Sequence, residues 1–312
     1  MKRAHPRRKT MMTQENDGSG VASTPHAGSR ALGRTDPSLS PANDRNNDLR
    51  IAIAGYGAIG QSLTASLKAG IPGIALTAIA SRDAQRLRAA LPSDSGLRVV
   101  PVAELCDHAD VIIECAPAAA LSAIAVPALE AGRSLIVLSC GALLDNEHLV
   151  ELARAKGGRI LVPTGALLGL DAVLAAAEGK ITSVTMTTRK PPGGLAGAPF
   201  LVKRNIDVAA IKEPTLVFEG SAREAARGFP ANVNVAVALS LAGIGPDRTR
   251  IAIWADPTVR RNTHFIEVES DAASFSMKIE GVPSANPRTG RMTAQSVVAL
   301  LRKLRAPLAI GT

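Results

Sequence analysis

Aromatic residues are scarce in this sequence. Phenylalanine, tyrosine and tryptophan make up 2% of its 312 residues, so the chain lacks the stacking platforms with which proteins bind single-stranded nucleic acid. A net charge of +9 allows a polyanionic partner, but it suits phosphate-bearing cofactors and small acidic substrates equally well. We therefore expect a small-molecule substrate and no nucleic-acid partner.

Cysteines and long apolar runs are also scarce. The three cysteines, Cys106, Cys115 and Cys140, cannot form a disulfide framework, and their spacing does not match a zinc site. This pattern predicts a reducing, cytoplasmic setting and no metal. No run of about 18 apolar residues occurs, so we expect no transmembrane helix and no membrane partner.

A glycine-rich turn follows the first predicted strand. Residues 49–55 form an apolar run typical of a buried parallel strand, and Gly55-Tyr-Gly57-Ala58-Ile59-Gly60 then leads into a helical pattern. The first glycine permits a tight turn, the second lets the backbone approach a pyrophosphate, and the third lets the helix pack on the strand. The helix N–H groups then face the phosphate charge. The sequence therefore predicts a dinucleotide site at Gly55, Gly57, Ala58, Ile59 and Gly60.

The alternation of strands and helices continues to residue 165. It predicts a Rossmann-type, doubly wound parallel sheet over residues 49–165, an α/β fold that binds NAD(P). Residues 1–48 precede it; they are polar and basic, have no aromatics and show no periodicity, so we predict a disordered tail.

The second half of the chain has a different pattern. Strands near 249–255, 262–270 and 274–280 follow one another and predict an antiparallel meander. We therefore expect an α+β substrate domain over residues 166–290, with a mostly antiparallel sheet that also serves to form a homodimer. The last segment, 291–312, contains an amphipathic helix that is expected to pack back on the first domain.

The residues after the second strand bear on the choice of cofactor. An arginine there meets the 2′-phosphate of NADP, whereas an acidic residue accepts the ribose hydroxyls of NAD. The sequence reads Ser81-Arg82-Asp83. Arg82 favours NADP, while Asp83 comes late and could instead cap the next helix. We expect either NAD or NADP to bind, with a preference towards NADP.

One histidine is a candidate for moving a proton. Hydride transfer to a nicotinamide needs a proton handler beside the substrate carbon, and histidine serves this role near neutral pH. His264 lies on a predicted strand of the second domain, whereas the other four histidines lie in the tail or at the periphery of the first domain. The alternative for His264 is a strand position on a solvated face.

Several spaced runs form a recognisable set. They are Ser139-Cys-Gly-Ala-Leu, Pro163-Thr-Gly-Ala166, Arg189-Lys190-Pro, the run from Glu219 to Ala236, Leu239-Ser-Leu-Ala-Gly, Asp247-Arg-Thr, Asn262-Thr-His264 and Ala285-Asn-Pro-Arg-Thr. Together they resemble the L-aspartate dehydrogenase family over about residues 50–312. The resemblance implies NAD(P)-dependent interconversion of L-aspartate with iminosuccinate, which hydrolyses to oxaloacetate and ammonia or feeds pyridine-nucleotide synthesis. It also implies that His264 is catalytic and that Ala166 and Asn234 contact the cofactor.

A dicarboxylic substrate needs cationic partners. Lys190, together with Arg189, lies at the end of a predicted strand and is the candidate clamp, unless both are solvated surface charges. Asp171 is a candidate to orient the histidine, or else caps a helix.

Two other functions remain open. Cys140 follows the cofactor domain as the nucleophile of aldehyde-oxidising dehydrogenases does, but the Ser-Cys-Thr-Thr-Asn pattern of glyceraldehyde-phosphate dehydrogenases is missing. A non-catalytic NAD(P)-sensing protein would keep the glycines without needing His264.

Overall fold

Two β-sheets organise the part of the chain that the structure describes. The computed structural model describes residues 48–91, 96–282 and 291–311. The predicted tail lies outside these residues, except for Asp48 at its end. All described residues belong to one compact unit. No helix in these three ranges is long and apolar enough to cross a membrane.

Six parallel strands form the first sheet. They are β1 (Leu49–Ala54), β2 (Ile74–Ala80), β3 (Arg98–Val99), β4 (Val111–Glu114), β5 (Ser134–Val137) and β6 (Arg159–Leu161). Their order is β3-β2-β1-β4-β5-β6, and every neighbouring pair is parallel. The direction of winding reverses between β1 and β4, and ligands of such sheets bind at the carboxyl ends of the strands near this point. The predicted doubly wound parallel sheet is confirmed.

Helices cover both faces of this sheet. They are α1 (Ala58–Lys68), α2 (Ala84–Ala90), α3 (Leu105–His108), α4 (Leu121–Glu130) and α5 (His148–Lys156), with 3₁₀ turns at Val102–Glu104, Ala118–Ala120 and Cys140–Asp145. On β1, Ile51 and Ile53 pack with the residues of α1, while Ala52 and Ala54 pack with those of α4. Because both faces of the strand are buried, its sequence is a continuous apolar run.

The second sheet is mixed. Its strands are β7 (Ile181–Lys190), β8 (Thr215–Ser221), β9 (Arg250–Ala255), β10 (Thr263–Ser270) and β11 (Ser274–Glu280), in the order β11-β10-β7-β9-β8. The β7–β9 pair is parallel and the other three pairs are antiparallel. The expectation of a mostly antiparallel second sheet is therefore confirmed.

The predicted meander of the last three strands is wrong, because β7 lies between β9 and β10. The connection over residues 256–262 passes the end of β7, where the Asp256 N–H donates to the Lys190 carbonyl at 2.8 Å. Among the described strands, only β10 and β11, joined by residues 271–273, form a hairpin. A long connection lets a strand skip its chain neighbour, whereas a short one holds two strands together.

The remaining helices complete the two cores. They are α6 (Leu170–Ala177), α7 (Pro199–Lys203), α8 (Ala222–Gly228), α9 (Asn234–Ala242) and α10 (Met292–Arg305), with 3₁₀ turns at Pro192–Leu195 and Val208–Ala210. Ser221 and Glu224 form a capping box at the start of α8. Helix α10 returns to α1 and buries Val297 and Leu301 in the core of the first sheet.

Candidate active site

The glycine turn between β1 and α1 has the geometry that its sequence predicts. Gly55 has a φ of +111°, and a Cβ there would lie 2.7 Å from the Cys115 carbonyl oxygen. A Cβ on Gly60 would lie 2.2 Å from the Gly55 carbonyl oxygen, whereas a Cβ on Gly57 would meet no atom of the described residues within 4 Å. Gly55 and Gly60 are therefore required by the fold itself, while Gly57 leaves open space above the turn.

The start of α1 is suited to an anion. No side chain of the described ranges caps this helix of 11 residues, and its first turn contains no acidic residue. Ala58 and Ile59 begin the helix at the edge of that open space. The exposed N–H groups and the space above Gly57 fit the pyrophosphate of a dinucleotide.

The end of β2 resolves the role of one candidate. The Asp83 carboxylate accepts a hydrogen bond from the Arg86 N–H at 2.8 Å and caps α2. Arg82 is exposed immediately before it. Of the two alternatives for Asp83, the structure shows the helix cap. Arg82 takes no part in this cap.

A cleft of about 890 Å³, counting the part open to solvent, lies at the carboxyl end of the first sheet. Five of the predicted site residues line it, namely Ile59, Ala166, Lys190, Asn234 and His264. Side chains from both sheets therefore meet in one space, a cleft of the kind in which small molecules bind. Arg82, Arg189 and Asp171 are not among the lining residues.

His264 is held against the neighbouring strand. It pairs with Thr188 in the β10–β7 ladder, and its Nδ1 lies 3.1 Å from the Thr188 hydroxyl oxygen. The residue is 4% exposed, so the alternative of a solvated strand histidine is wrong. Burial, together with the charge of nearby Lys190, lowers the pKa of His264 to about 3. The imidazole is therefore neutral at physiological pH.

Lys190 is a buried cation that has no anionic partner among the described residues. It lies on the same face of β7 as Thr188 and is 4% exposed. Its Nζ donates to the Asn232 side-chain oxygen at 3.3 Å, and no carboxylate of the described residues forms an ion pair with it. Burial lowers the pKa of Lys190 to about 8.

Two polar residues expected near this site lie elsewhere. Arg189 alternates to the other face of β7, where it contacts Asp256 at 2.9 Å and lies 4.8 Å from the centre of the Trp254 ring. Asp171 is exposed in the first turn of α6. The pairing of Arg189 with Lys190 in one clamp and the orientation of His264 by Asp171 are therefore wrong, because strand alternation separates the first pair and Thr188 contacts the histidine.

Asn234 joins the two halves of the cleft. Its side-chain oxygen accepts from the Gly141 N–H at 3.1 Å, and its carbonyl oxygen accepts from the Cys140 thiol at 2.8 Å. Burial raises the pKa of the Cys140 thiol to about 12. Because a thiolate is the nucleophile of cysteine catalysis, this environment disfavours the aldehyde-oxidising alternative.

Sequence reasoning missed Glu114, Ser139 and Thr188. Glu114 is fully buried at the end of β4, where four hydrogen bonds oppose the rise in the pKa of its carboxyl that burial causes. A single acidic residue in the apolar run 111–114 was the available signal. Within the described ranges, no group of three or more His, Cys, Asp or Glu residues is placed to hold a metal ion. The Ala285-Asn-Pro-Arg-Thr run lies outside those ranges.

Comparisons with known proteins cover both halves of the chain. The family described as "Aspartate dehydrogenase, C-terminal" matches residues 171–304. The family described as "Homoserine dehydrogenase, NAD binding domain" matches residues 55–163.

Named relatives match over most of the chain. An L-aspartate dehydrogenase of Bradyrhizobium diazoefficiens is 58% identical, over 86% of this chain and 95% of that protein. L-aspartate dehydrogenase 3 of Bordetella bronchiseptica is 57% identical, over 85% of this chain and 98% of that protein. The crystal structure of aspartate dehydrogenase from Thermotoga maritima superposes with a TM-score of 0.65 at 25% identity, covering 85% of this chain and all of that one.

Proposed function

Since this chain belongs to the L-aspartate dehydrogenase family, we propose that it is an NAD(P)-dependent L-aspartate dehydrogenase. It interconverts L-aspartate with iminosuccinate, which hydrolyses to oxaloacetate and ammonia or is used in pyridine-nucleotide synthesis. The observation that carries the proposal is the meeting of a neutral histidine, His264, and a buried cation, Lys190, in one cleft beside the glycine turn.

Lys190 binds one of the two substrate carboxylates. Within the described part of the chain, the buried ammonium has one neutral acceptor, Asn232, and lacks the anion that normally compensates such a charge. A substrate carboxylate supplies it, and the resulting hydrogen bond is charge-assisted. The same contact places a dicarboxylate beside His264, whose ring lies on the same face of the sheet.

His264 handles the proton of the substrate amine. Its Nδ1 contacts Thr188, so Nε2 is the nitrogen that serves the cleft. When Nδ1 carries the ring proton and donates it to Thr188, Nε2 has a free lone pair that accepts the amine proton or activates water against the imine. A bound dicarboxylate adds negative charge beside Lys190, which raises the pKa of the imidazole and makes it a better base.

NAD or NADP accepts the hydride from the substrate α-carbon in this proposal. Gly55, Gly57, Ala58, Ile59 and Gly60 hold its pyrophosphate, as their open turn and uncapped helix allow. Ala166 and Asn234 form the wall of the cleft at the reacting end of the cofactor. Arg82 binds the 2′-phosphate when NADP is used.

We further propose a cytoplasmic homodimer. Cys106, Cys115 and Cys140 are all free thiols, as expected of a reducing compartment. Phe265, 38% exposed on β10, is an apolar residue that a second copy would cover. Light scattering during gel filtration checks the assembly, since a mass equal to one chain contradicts it.

A panel of amino and keto acids, assayed with both cofactors, tests the activity. We expect reduced cofactor to form with L-aspartate and to be consumed with oxaloacetate and ammonia. A chain that binds cofactor but reduces it with no amino acid would instead be a cofactor sensor. Reduction of the cofactor with an aldehyde as substrate, if Cys140→Ser abolishes it, would favour the cysteine-dependent alternative.

A further inference from the structure

A buried carboxylate lies at the carboxyl edge of the first sheet, where β4 and β5 end. Glu114 Oε1 accepts from the Ala116 N–H at 2.9 Å and lies 3.1 Å from the Ser139 hydroxyl. Its Oε2 accepts from the N–H groups of Leu138 and Ser139 at 3.1 and 2.8 Å. Three backbone donors thus converge on two oxygens, which is an arrangement for an ionised carboxylate.

The residues that Glu114 holds form part of the cleft wall. Ala116, Leu138 and Ser139 all line the cleft, and each follows the end of a strand, where the ladder no longer fixes the backbone. Irregular backbone of this kind needs other partners for its N–H groups. Glu114 supplies them for both segments at once, so it sets the distance between the two strand ends.

One of these segments supports the glycine turn. The backbone of Cys115 and Ala116 lies directly against Gly55, at 2.7 and 3.1 Å from the position that a Cβ would take. The Ala116 N–H is the group that Glu114 binds. A shift of this segment therefore moves the surface on which the glycine turn rests.

The other segment leads to the far side of the cleft. Ser139 is followed by Cys140 and Gly141, whose thiol and N–H both bind Asn234 at the start of α9. Glu114 is thus linked by short hydrogen-bonded paths to the glycine turn on one side and to Asn234 on the other.

We infer that Glu114 is a positioning residue for cofactor binding, because its carboxylate fixes the two strand-end segments that connect the glycine turn to Asn234. This inference rests on the proposed function, since it takes the cleft to be the dinucleotide site. It assigns Glu114 no contact with substrate or cofactor. A wall that is already in place lets the dinucleotide bind without ordering backbone at that moment.

The variant Glu114→Gln tests the inference. Glutamine has the same size, but its NH₂ group opposes N–H donors, so it cannot hold both segments. We expect the dissociation constant for NADH or NADPH, measured by titration calorimetry, to rise about tenfold, the effect of one charge-assisted contact. The KM for cofactor should rise in parallel, while kcat at saturating cofactor changes less.

Asp110→Asn is the matched control. Asp110 is bound by Arg50 and Arg133 near the start of β4, at the opposite edge of the same sheet. Both variants should lower the melting temperature, but only Glu114→Gln should weaken cofactor binding. Equal weakening in the two variants contradicts the inference, because it would reflect general loss of stability.

Ser139→Ala decides the matter if Glu114→Gln does not fold. It removes the hydroxyl, which lies 3.1 Å from both Glu114 Oε1 and the Ala116 carbonyl oxygen, and leaves the backbone donors, so we expect a rise of about threefold in the cofactor dissociation constant. If the folded variant binds the cofactor with unchanged affinity, the inference is overturned and the proposed function is not. A wild-type chain that binds neither NADH nor NADPH overturns the proposed function, and this inference with it.

Discussion

His264 Nδ1 lies 3.1 Å from the Thr188 hydroxyl oxygen, across two strands that pair these residues directly. Strand β10 pairs with β7 on one side and with β11 on the other, which fixes this contact. The imidazole therefore keeps one orientation. Because Thr188 takes Nδ1, the chemistry of the cleft depends on Nε2. A hydroxyl adds no charge to the ring, in contrast to a carboxylate, and leaves the pKa of His264 low.

The first prediction concerns His264→Ala. Turnover should fall by about 10²–10⁴, the usual contribution of a positioned proton-transfer group. Cofactor affinity should persist, because the glycine turn belongs to the other sheet. Stopped-flow rates and calorimetric titration measure the two effects.

Thr188→Val is the control for that measurement. It removes the hydroxyl partner but keeps the imidazole, so turnover should fall only about two- to tenfold. The assignment of His264 fails if the alanine variant retains more than about a third of wild-type turnover.

The second prediction is a pH dependence set by Lys190. Its ammonium must be charged to bind a carboxylate, and its pKa is lowered to about 8. Succinate, a dicarboxylate without an amine, should therefore inhibit strongly below pH 8. Above pH 8 its inhibition constant should rise about tenfold for each pH unit. In Lys190→Arg this loss should disappear, because a guanidinium keeps its proton. If the inhibition constant of the wild type does not change from about pH 7 to pH 10, Lys190 is excluded as the carboxylate ligand.

The third prediction is that Lys190→Met stabilises the fold. The pKa of Lys190 falls from 10.5 to about 8 on folding. Below pH 8 the lysine is charged in both states and the cost of its burial is fully present. As the pH rises towards 10.5, the folded protein releases the proton first, and that cost declines. The free energy of unfolding at pH 7 should rise by on the order of 1–3 kcal/mol in the variant, which cannot bind substrate.

Denaturant unfolding at several pH values checks the sign of this effect. The gain in the free energy of unfolding should shrink as the pH approaches 10.5, the pKa of the lysine in the unfolded chain. Lys180→Met, at an exposed lysine just before β7, should change the free energy of unfolding little at any pH. A destabilised Lys190→Met variant would mean that an anion compensates the ammonium in the folded protein.

Local patterns in the sequence were sufficient for the features that depend on neighbouring residues. The glycine turn, the apolar run of β1 and the capping box of Ser221 all follow from spacings of a few residues. The resemblance that the spaced motifs carry is confirmed by relatives at 57–58% identity. These features needed no knowledge of which strands pair.

Features that depend on contacts between segments far apart in the sequence could not be predicted from it. The partner of β9 is β7, which lies some sixty residues earlier, and no local signal distinguishes it from β10. The hydrogen bond of Lys190 joins it to Asn232, which lies 42 positions away in the sequence. Arg189 and Lys190 are adjacent in the sequence, yet the alternation of β7 places them on opposite faces.

The fourth prediction separates two glycines of the turn. In Gly57→Ala the methyl group meets no atom of the part of the chain that the structure describes within 4 Å, so the free energy of unfolding should be unchanged. Cofactor affinity should fall about tenfold, because the methyl group occupies the approach of the pyrophosphate. In Gly60→Ala the Cβ would lie 2.2 Å from the Gly55 carbonyl oxygen, and the fold should lose on the order of 1–3 kcal/mol. Thermal unfolding and cofactor titration of both variants give the comparison, and a destabilised Gly57→Ala would contradict it.

The last prediction concerns the choice between NAD and NADP. Arg82 is exposed directly after β2, and Asp83 beside it is engaged as the cap of α2. Arg82→Ala should therefore weaken NADP binding by about ten- to a hundredfold, the worth of a charge-assisted contact to the 2′-phosphate. NAD binding should change little, since NAD carries no such group. Arg86→Ala, at an exposed arginine one turn along α2, is the matched control and should affect neither cofactor. Equal loss of both cofactors in Arg82→Ala would place the guanidinium away from the 2′ position, and higher affinity for NAD than for NADP in the wild type would contradict the preference assigned to it.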